Sequence, residues 1–287
     1  MSTIKNVVLQ GSNNRPFLVD AYAPEEQENI PVVVFCHGFK GFKDWGHWDE
    51  IAQAFVAAGF CFVKFNFSHN GTTIDQPLDF ADLEAFGQNN YSKELADTAT
   101  VLDWIATSKI LANWSIDRNN ISIIGHSRGG PIALITALEQ SAVQQVVTWA
   151  GVNELDYAWQ KEGFDRAAWK KEGVYYIRNG RTKQEMPQYY QLYEDYMVNS
   201  SRFSIQQVLS KLIKPYLILH GDADPAVSVA AAQYLKSNCA AAILEVLANA
   251  DHVFGGKHPY ESTKLPADSK ALVDKTIDFL KTSSKNT

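Results

Sequence analysis

The chain is poor in cysteine, in excess basic charge and in long apolar runs, and each shortage removes a class of protein. Three cysteines in 287 residues, Cys36, Cys61 and Cys239, are too few and too scattered for a disulfide framework. Two of them lie in strand-like runs, where a small buried thiol is the expected reading. Lys and Arg number 26 against 32 Asp and Glu, a net charge of -6, so the basic face of a nucleic-acid binder is not expected. No stretch approaches the ~20 apolar residues that span a bilayer. The start, MSTIKNVVLQGSNN, lacks the basic-then-apolar order of a signal peptide. No His, Cys and Asp grouping has metal-ligand spacing, and no GxGxxG loop opens a helix. The expectation is a soluble, cytoplasmic protein with no metal and no cofactor, partnered by neither nucleic acid nor membrane.

Apolar residues make up 46% of the chain, enough for a substantial core. NVVLQ and FLVDAYA read as two antiparallel strands. PVVVFCHG (31–38) is an apolar run ending in a turn, the pattern of a strand buried on both faces. HWDEIAQAFVAAGF follows as an amphipathic helix closing at Gly59. FCFVKFNF (60–67), NISIIGHS (120–127), QQVVTWAG (145–151), KPYLILHG (214–221) and AAILEVLAN (241–249) read as further strands. Helical patterns lie among them, at 91–108, after Gly129 and at 266–282. Strands alternating with helices imply an α/β fold, a mostly parallel central sheet with helices on both faces. Residues 152–213 break the rhythm. They form an insertion rich in Trp and Tyr between core segments 1–151 and 214–287, either an extra helical subdomain with its own core or a lid over the strand ends.

The chemistry-bearing residues sit at the predicted strand ends. GHSRG (125–129) fits Gly-x-Ser-x-Gly, a sharp strand-to-helix turn that lifts a serine above the sheet. A serine hydroxyl is a poor nucleophile and needs a base, a group to orient that base, and donors for the oxyanion. HGDADPAV (220–227) offers Asp224 as the orienting carboxylate, with Asp222 a close rival. NADHVFGG (249–256) offers His252 as the base. The order Ser127, Asp224, His252 is the one such folds use. After the first buried strand comes HGFKGF (37–42), where the Phe39 N–H, with that of Arg128, would form an oxyanion hole. His37 reads as structural, His126 as packing under the turn, and His47 and His258 as surface or loop residues. In FNFSHNG, His69 is a pocket-lining candidate, as are Trp159 and Trp169 in the insertion.

These four motifs together resemble the α/β-hydrolase superfamily over nearly the whole chain, with the insertion where such proteins carry a cap. HGFKGFKDWGHW, FNFSHNG and IDRNNISIIGHSRGG are similar to the branch of cinnamoyl and feruloyl esterases, dienelactone-hydrolase-like proteins and serine aminopeptidase-like hydrolases. The resemblance implies an α/β-hydrolase fold with a helical cap. It also implies Ser127 as nucleophile, His252 as base, Asp224 as acid, and the Phe39 and Arg128 backbones as oxyanion donors. An arginine after the serine departs from the more usual Met or Gln and leaves that side chain without a role. The expected function is cleavage of a carboxylic ester through an acyl-enzyme on Ser127. The partner is then a small-molecule ester with apolar or aromatic bulk, and a homodimer is compatible with the sequence. The same site could cleave an amide or peptide, with Glu154, Asp156 or Glu162 anchoring a substrate amine. A non-enzymatic binding protein on this fold is the reading from another class.

Overall fold

The computed structural model describes residues 1–283. Its main sheet has eight strands: β1 (Ser2–Gln10), β2 (Pro16–Ala23), β3 (Ile30–Cys36), β4 (Cys61–Phe65), β5 (Ile116–His126), β6 (Val143–Trp149), β9 (Tyr216–Gly221) and β10 (Ala242–Leu247). They lie in the order β1-β2-β4-β3-β5-β6-β9-β10. β2 pairs antiparallel with both its neighbours, and every pairing from β4 to β10 is parallel. The helices between and after these strands are α1 (Trp48–Ala57), α2 (Leu83–Gly87), α3 (Tyr91–Thr107), α4 (Gly129–Glu139), α9 (Val229–Ser237) and α10 (Ala267–Ser283).

The strand side chains alternate between two cores, as a period of two requires. Val32, Val34 and Cys36 of β3 face one apolar cluster, while Val33 and Phe35 face the other. The first cluster packs against α3, α4 and α9, the second against α1 and α10. Burying each large apolar side chain is worth about 1.5–3 kcal/mol, so the continuous V/I/F runs commit these strands to the centre of the sheet. β3 leads through α1 to β4 on one side, and β5 then pairs on the other side of β3. The connections diverge there, so a crevice opens beyond the carboxyl ends of β3 and β5, where open α/β sheets bind ligands.

The insertion between β6 and β9 contains α5 (Arg166–Glu172), α6 (Gln191–Val198), α7 (Ser200–Phe203) and α8 (Ile205–Lys211). To these helices it adds a two-stranded antiparallel hairpin, β7 (Val174–Arg178) with β8 (Glu185–Tyr189). Among the described residues no helix is long and apolar enough to cross a membrane.

One strand carries a charge into the core. Lys64, in the middle of β4, is completely buried. Its ammonium meets Asp44 at 2.5 Å, contacts Asp49, and donates to the Lys43 carbonyl at 2.9 Å. Lys43, also buried, pairs with Asp20 at 2.8 Å and Asp44 at 2.6 Å. The three carboxylates converge on these two ammonium groups, and Asp49 also pairs with Lys5 at the surface, at 2.7 Å. The cluster ties β2 and β4 to the loop that leaves β3. His47 departs from its sequence reading as a surface or loop residue: it is fully buried. Its Nε2 donates to Ser269 Oγ at 2.7 Å, and that hydroxyl donates to the Phe254 carbonyl at 2.6 Å. The first turn of α1 is thereby fastened to α10 and to the loop after β10. His258 is half-buried, and its Nδ1 accepts the Gly46 N–H at 3.0 Å.

Removing one member of the buried network strands the other charges. Lys64→Met is expected to cost about 3–5 kcal/mol in urea unfolding, and a loss below ~1 kcal/mol, typical of a surface pair, would contradict the network's role. A second expectation concerns acid. Burial pushes His37, His47 and His69 down to about 4 and His126 to about 3. The unfolded chain takes up these protons near pH ~6.5 while the folded chain refuses them until about 4. Stability is therefore complete above pH ~6.5 and is lost as pH falls from there towards 4, by on the order of 1–2 kcal/mol per histidine at pH 5. Asp97, pushed up to about 6 by burial, works in the opposite direction over pH 4–6, one group against four. The urea midpoint should fall markedly between pH 7.5 and pH 5, and an unchanged midpoint would refute the neutral state of these histidines.

Candidate active site

The turn after β5 is built by close approach of backbones. Ser127 adopts φ 55°, a left-handed conformation that costs a non-glycine residue on the order of 1 kcal/mol or more. The surroundings hold it there. Its N–H donates to the Trp149 carbonyl at 2.9 Å, and its carbonyl accepts from Gly130 at 3.0 Å and Val152 at 3.3 Å. A Cβ on Gly125 would overlap the Gly129 carbonyl, and one on Gly129 would overlap the carbonyl oxygen of Cys36 at the end of β3. Both glycines of GHSRG are thus demanded by contact between β5, α4 and β3. Pro131 falls in the first turn of α4, where its missing N–H leaves no gap in the ladder.

Asp224, after β9, and His252, after β10, meet at the same sheet edge. His252 Nδ1 lies 2.7 Å from Asp224 Oδ2, and the Asp224 side chain is fully buried. The other carboxylate oxygen accepts the N–H groups of Ala226 at 2.7 Å and Val227 at 2.9 Å. Burial opposes the charge on Asp224. The contacts of His220, His252 and the Val227 N–H outweigh it and hold the carboxyl well below the usual range. A carboxylate at Nδ1 fixes the proton there and leaves Nε2 as the acceptor. Asp222, the rival in the same motif, is exposed and accepts the Asn249 N–H at 2.6 Å. It latches the two loops together and does not reach His252. His126 donates from Nε2 to the His252 carbonyl at 2.9 Å, with the two rings 4.9 Å apart. Burial, with the neighbouring His252, keeps His126 neutral, so it serves as a fixed donor to the histidine loop.

The loop after β3 brings Phe39 to Ser127. His37 is buried and bonds backbone on both sides, its Nδ1 to the Gly38 carbonyl at 2.9 Å and its Nε2 to the Phe67 N–H at 3.3 Å. Asn70 Nδ2 donates to the Gly41 carbonyl at 3.2 Å. Among the described residues no protein acceptor takes the N–H of Phe39 or of Arg128. The Arg128 side chain, unassigned from sequence, now has partners. Its guanidinium pairs with Glu94 of α3 at 2.5 Å and lies over the Phe39 ring, 4.5 Å from its centroid. Burial works against its charge, and Glu94 more than restores it. The arginine therefore clamps the Phe39 loop to α3 beside the serine. Its signal in the sequence was Glu94, an acid on the face of α3 that packs inward.

Two lobes of one crevice meet at Ser127. The larger, about 950 Å³, runs under the insertion. The smaller, about 210 Å³, lies between the Phe39 loop and the loop after β10. Ser127, Phe39, Lys40 and His252 line both. The insertion contributes Tyr157, Phe164, Tyr175 and Ile177 to the wall of the larger lobe.

Three sequence-chosen pocket residues do not line either lobe. Trp159 and Trp169 are buried in an aromatic cluster continuous with the core on that face of the sheet, with Tyr193 and Tyr196 around the first and Tyr175 and Tyr190 around the second. The Trp169 indole N–H donates to the Gln188 carbonyl at 2.8 Å. A small subdomain has few large side chains to bury, and its two indoles are spent on that core. His69 is buried beside Ser68, its Nδ1 2.8 Å from the Ser68 hydroxyl. Tyr157 and Lys161 were missed because apolar or charged character alone does not say which insertion residues face down.

A curated relative, the uncharacterized peptidase YtmA of Bacillus subtilis, is 21% identical over 221 residues, 72% of this chain and 78% of that one. Est1E from Butyrivibrio proteoclasticus, solved with ferulic acid bound, superposes with a TM-score of 0.71 at 16% identity, covering 97% of this chain and 99% of that one. Dienelactone hydrolase from Anabaena variabilis gives a TM-score of 0.64 at 14% identity over 99% of each chain. Residues 33–263 match the alpha/beta hydrolase family, and the chain belongs to that family.

Proposed function

We propose that this hydrolase cleaves a carboxylic ester through an acyl-enzyme on Ser127. The observation that carries the reading is the His252 ring, held at Nδ1 by the buried Asp224 carboxylate and lining the same two lobes as Ser127. Ser127 Oγ attacks the ester carbonyl while His252 Nε2 takes its proton. The carbonyl oxygen gains negative charge and turns to the free N–H groups of Phe39 and Arg128, each worth roughly 3 kcal/mol in the transition state. The imidazolium, stabilised by Asp224, returns the proton to the departing alkoxide, which leaves as alcohol. Water then attacks the acyl-serine by the same route and releases the acid.

Peptide cleavage is the second reading, because the curated relative is named a peptidase. An exopeptidase of this kind needs a carboxylate to hold the substrate amine. Glu154 bonds the Tyr234 hydroxyl at 3.2 Å, Asp156 bonds Gln160, and among the described residues no Asp or Glu lines either lobe. That supports the ester reading over the amine-anchored one.

Wild-type protein should react with a fluorophosphonate probe and Ser127→Ala should not. Labelling that survives the substitution would sink the serine mechanism. Asp224→Asn should lower kcat on an aryl ester by about 10³–10⁴-fold, because the amide favours the wrong imidazole tautomer. Aryl esters should be turned over faster than aminoacyl amides of matched size, and the reverse order would transfer the assignment to peptide cleavage.

A further inference from the structure

The two lobes carry a charge opposite to that of the chain. The protein as a whole has net charge -6, yet Lys40, Arg128 and Lys161 line the larger lobe and Lys40 and Arg181 the smaller. Among the described residues neither lobe contains an Asp or Glu. Two of the four cations are answered elsewhere: Arg128 by Glu94 at 2.5 Å, and Arg181 by Asp79 at 3.8 Å. Lys40 and Lys161 have no carboxylate partner among the described residues, and neither ammonium donates a hydrogen bond to the protein.

Their placement gives this imbalance a direction. Lys40 follows the oxyanion donor Phe39, sits in a left-handed conformation at φ 57°, and holds its ammonium 5.6 Å from the Phe39 ring centroid. Lys161 reaches the same lobe from the insertion. The two feel each other: burial, and after it the charge of Lys161, pushes Lys40 down from the ordinary lysine range. Two like charges turned into one apolar-walled lobe repel unless an anion lies between them. Nothing in the sheet core requires either lysine, since Lys161 is exposed and Lys40 half-buried.

We propose that the half of the ester occupying the larger lobe bears a carboxylate, which Lys40 and Lys161 receive from opposite walls. The inference rests on the ester-hydrolase reading and names its substrate class: a monoester of a dicarboxylic acid, or an ester whose alcohol half carries the acid. The apolar wall of Tyr157, Phe164, Tyr175 and Ile177 covers the chain between the scissile carbonyl and that carboxylate.

Two matched pairs test it: mono-p-nitrophenyl glutarate against p-nitrophenyl valerate, and 4-carboxyphenyl butyrate against phenyl butyrate. In one pair the anionic member should show kcat/KM on the order of tenfold above the neutral one, two partly exposed charge contacts contributing roughly 0.2–1 kcal/mol each. The advantage should shrink in 0.5 M salt because such contacts are screened. The ratio should fall towards one in Lys40→Gln/Lys161→Gln and invert in Lys161→Glu, a surface change that leaves the core untouched. Equal rates within both pairs, or a ratio indifferent to these substitutions, would overturn the proposal while leaving the esterase reading intact. Calorimetric titration of the same esters into Ser127→Ala reads the anion preference without turnover. If wild-type protein cleaves none of the four, the esterase reading fails, and tighter binding of a carboxylate member upholds the anion site whereas equal binding removes it.

Discussion

The site depends on one steric constraint, the approach of three backbones at the end of β5. Strand β5, helix α4 and the exit of β3 come so close that no side chain fits at Gly125 or Gly129. That contact holds Ser127 at φ 55° and sets it against the Phe39 loop. Two consequences follow from the same packing. Among the described residues the N–H of Arg128, at the start of α4, has no protein acceptor, and neither has that of Phe39 across the crevice. Strain in the turn and unmet donors beside it are stored together and are held by the apolar sheet beneath, where β3, β5 and β6 are buried on both faces.

Around that turn, buried polar groups do the positioning. The Lys43 and Lys64 network secures the loop leaving β3, and His37 and Asn70 hold the same loop from within. On the opposite wall, His126 and the His47–Ser269 contact fix the loop bearing His252. Each of these groups is costly to bury without a partner, and the contacts named hold them in place. Arg128 belongs to this set. Its guanidinium joins Phe39 to α3 through Glu94. The residue after the serine thus braces the loop across the crevice.

The insertion divides its aromatic residues between two tasks. Trp159 and Trp169 stabilise it, and Tyr157, Phe164 and Tyr175 shape the lobe below. Its hairpin also delivers Ile177 to the larger lobe and Arg181 to the smaller, so the insertion contributes to both the wall and the charge of the crevice.

The sheet, its parallel sense and the place of each candidate group at a strand end were legible in the sequence. Apolar runs, turn residues and the Gly-x-Ser-x-Gly spacing are local properties of the chain. So was the order Ser127, Asp224, His252, with Asp224 ahead of its rival Asp222, although only the fold shows what separates the two acids. Both acids lie in one turn, and only the geometry after β9 aims Asp224 at His252 and turns Asp222 to Asn249. Tertiary structure alone decided the facing of the insertion, the burial of His47 and His69, the partner of Arg128 and the unanswered charges of Lys40 and Lys161. These are contacts between segments far apart in the chain, such as Arg128 with Glu94 or His47 with Ser269. Periodicity records which face of an element is buried, and it carries no information about which distant side chain waits there.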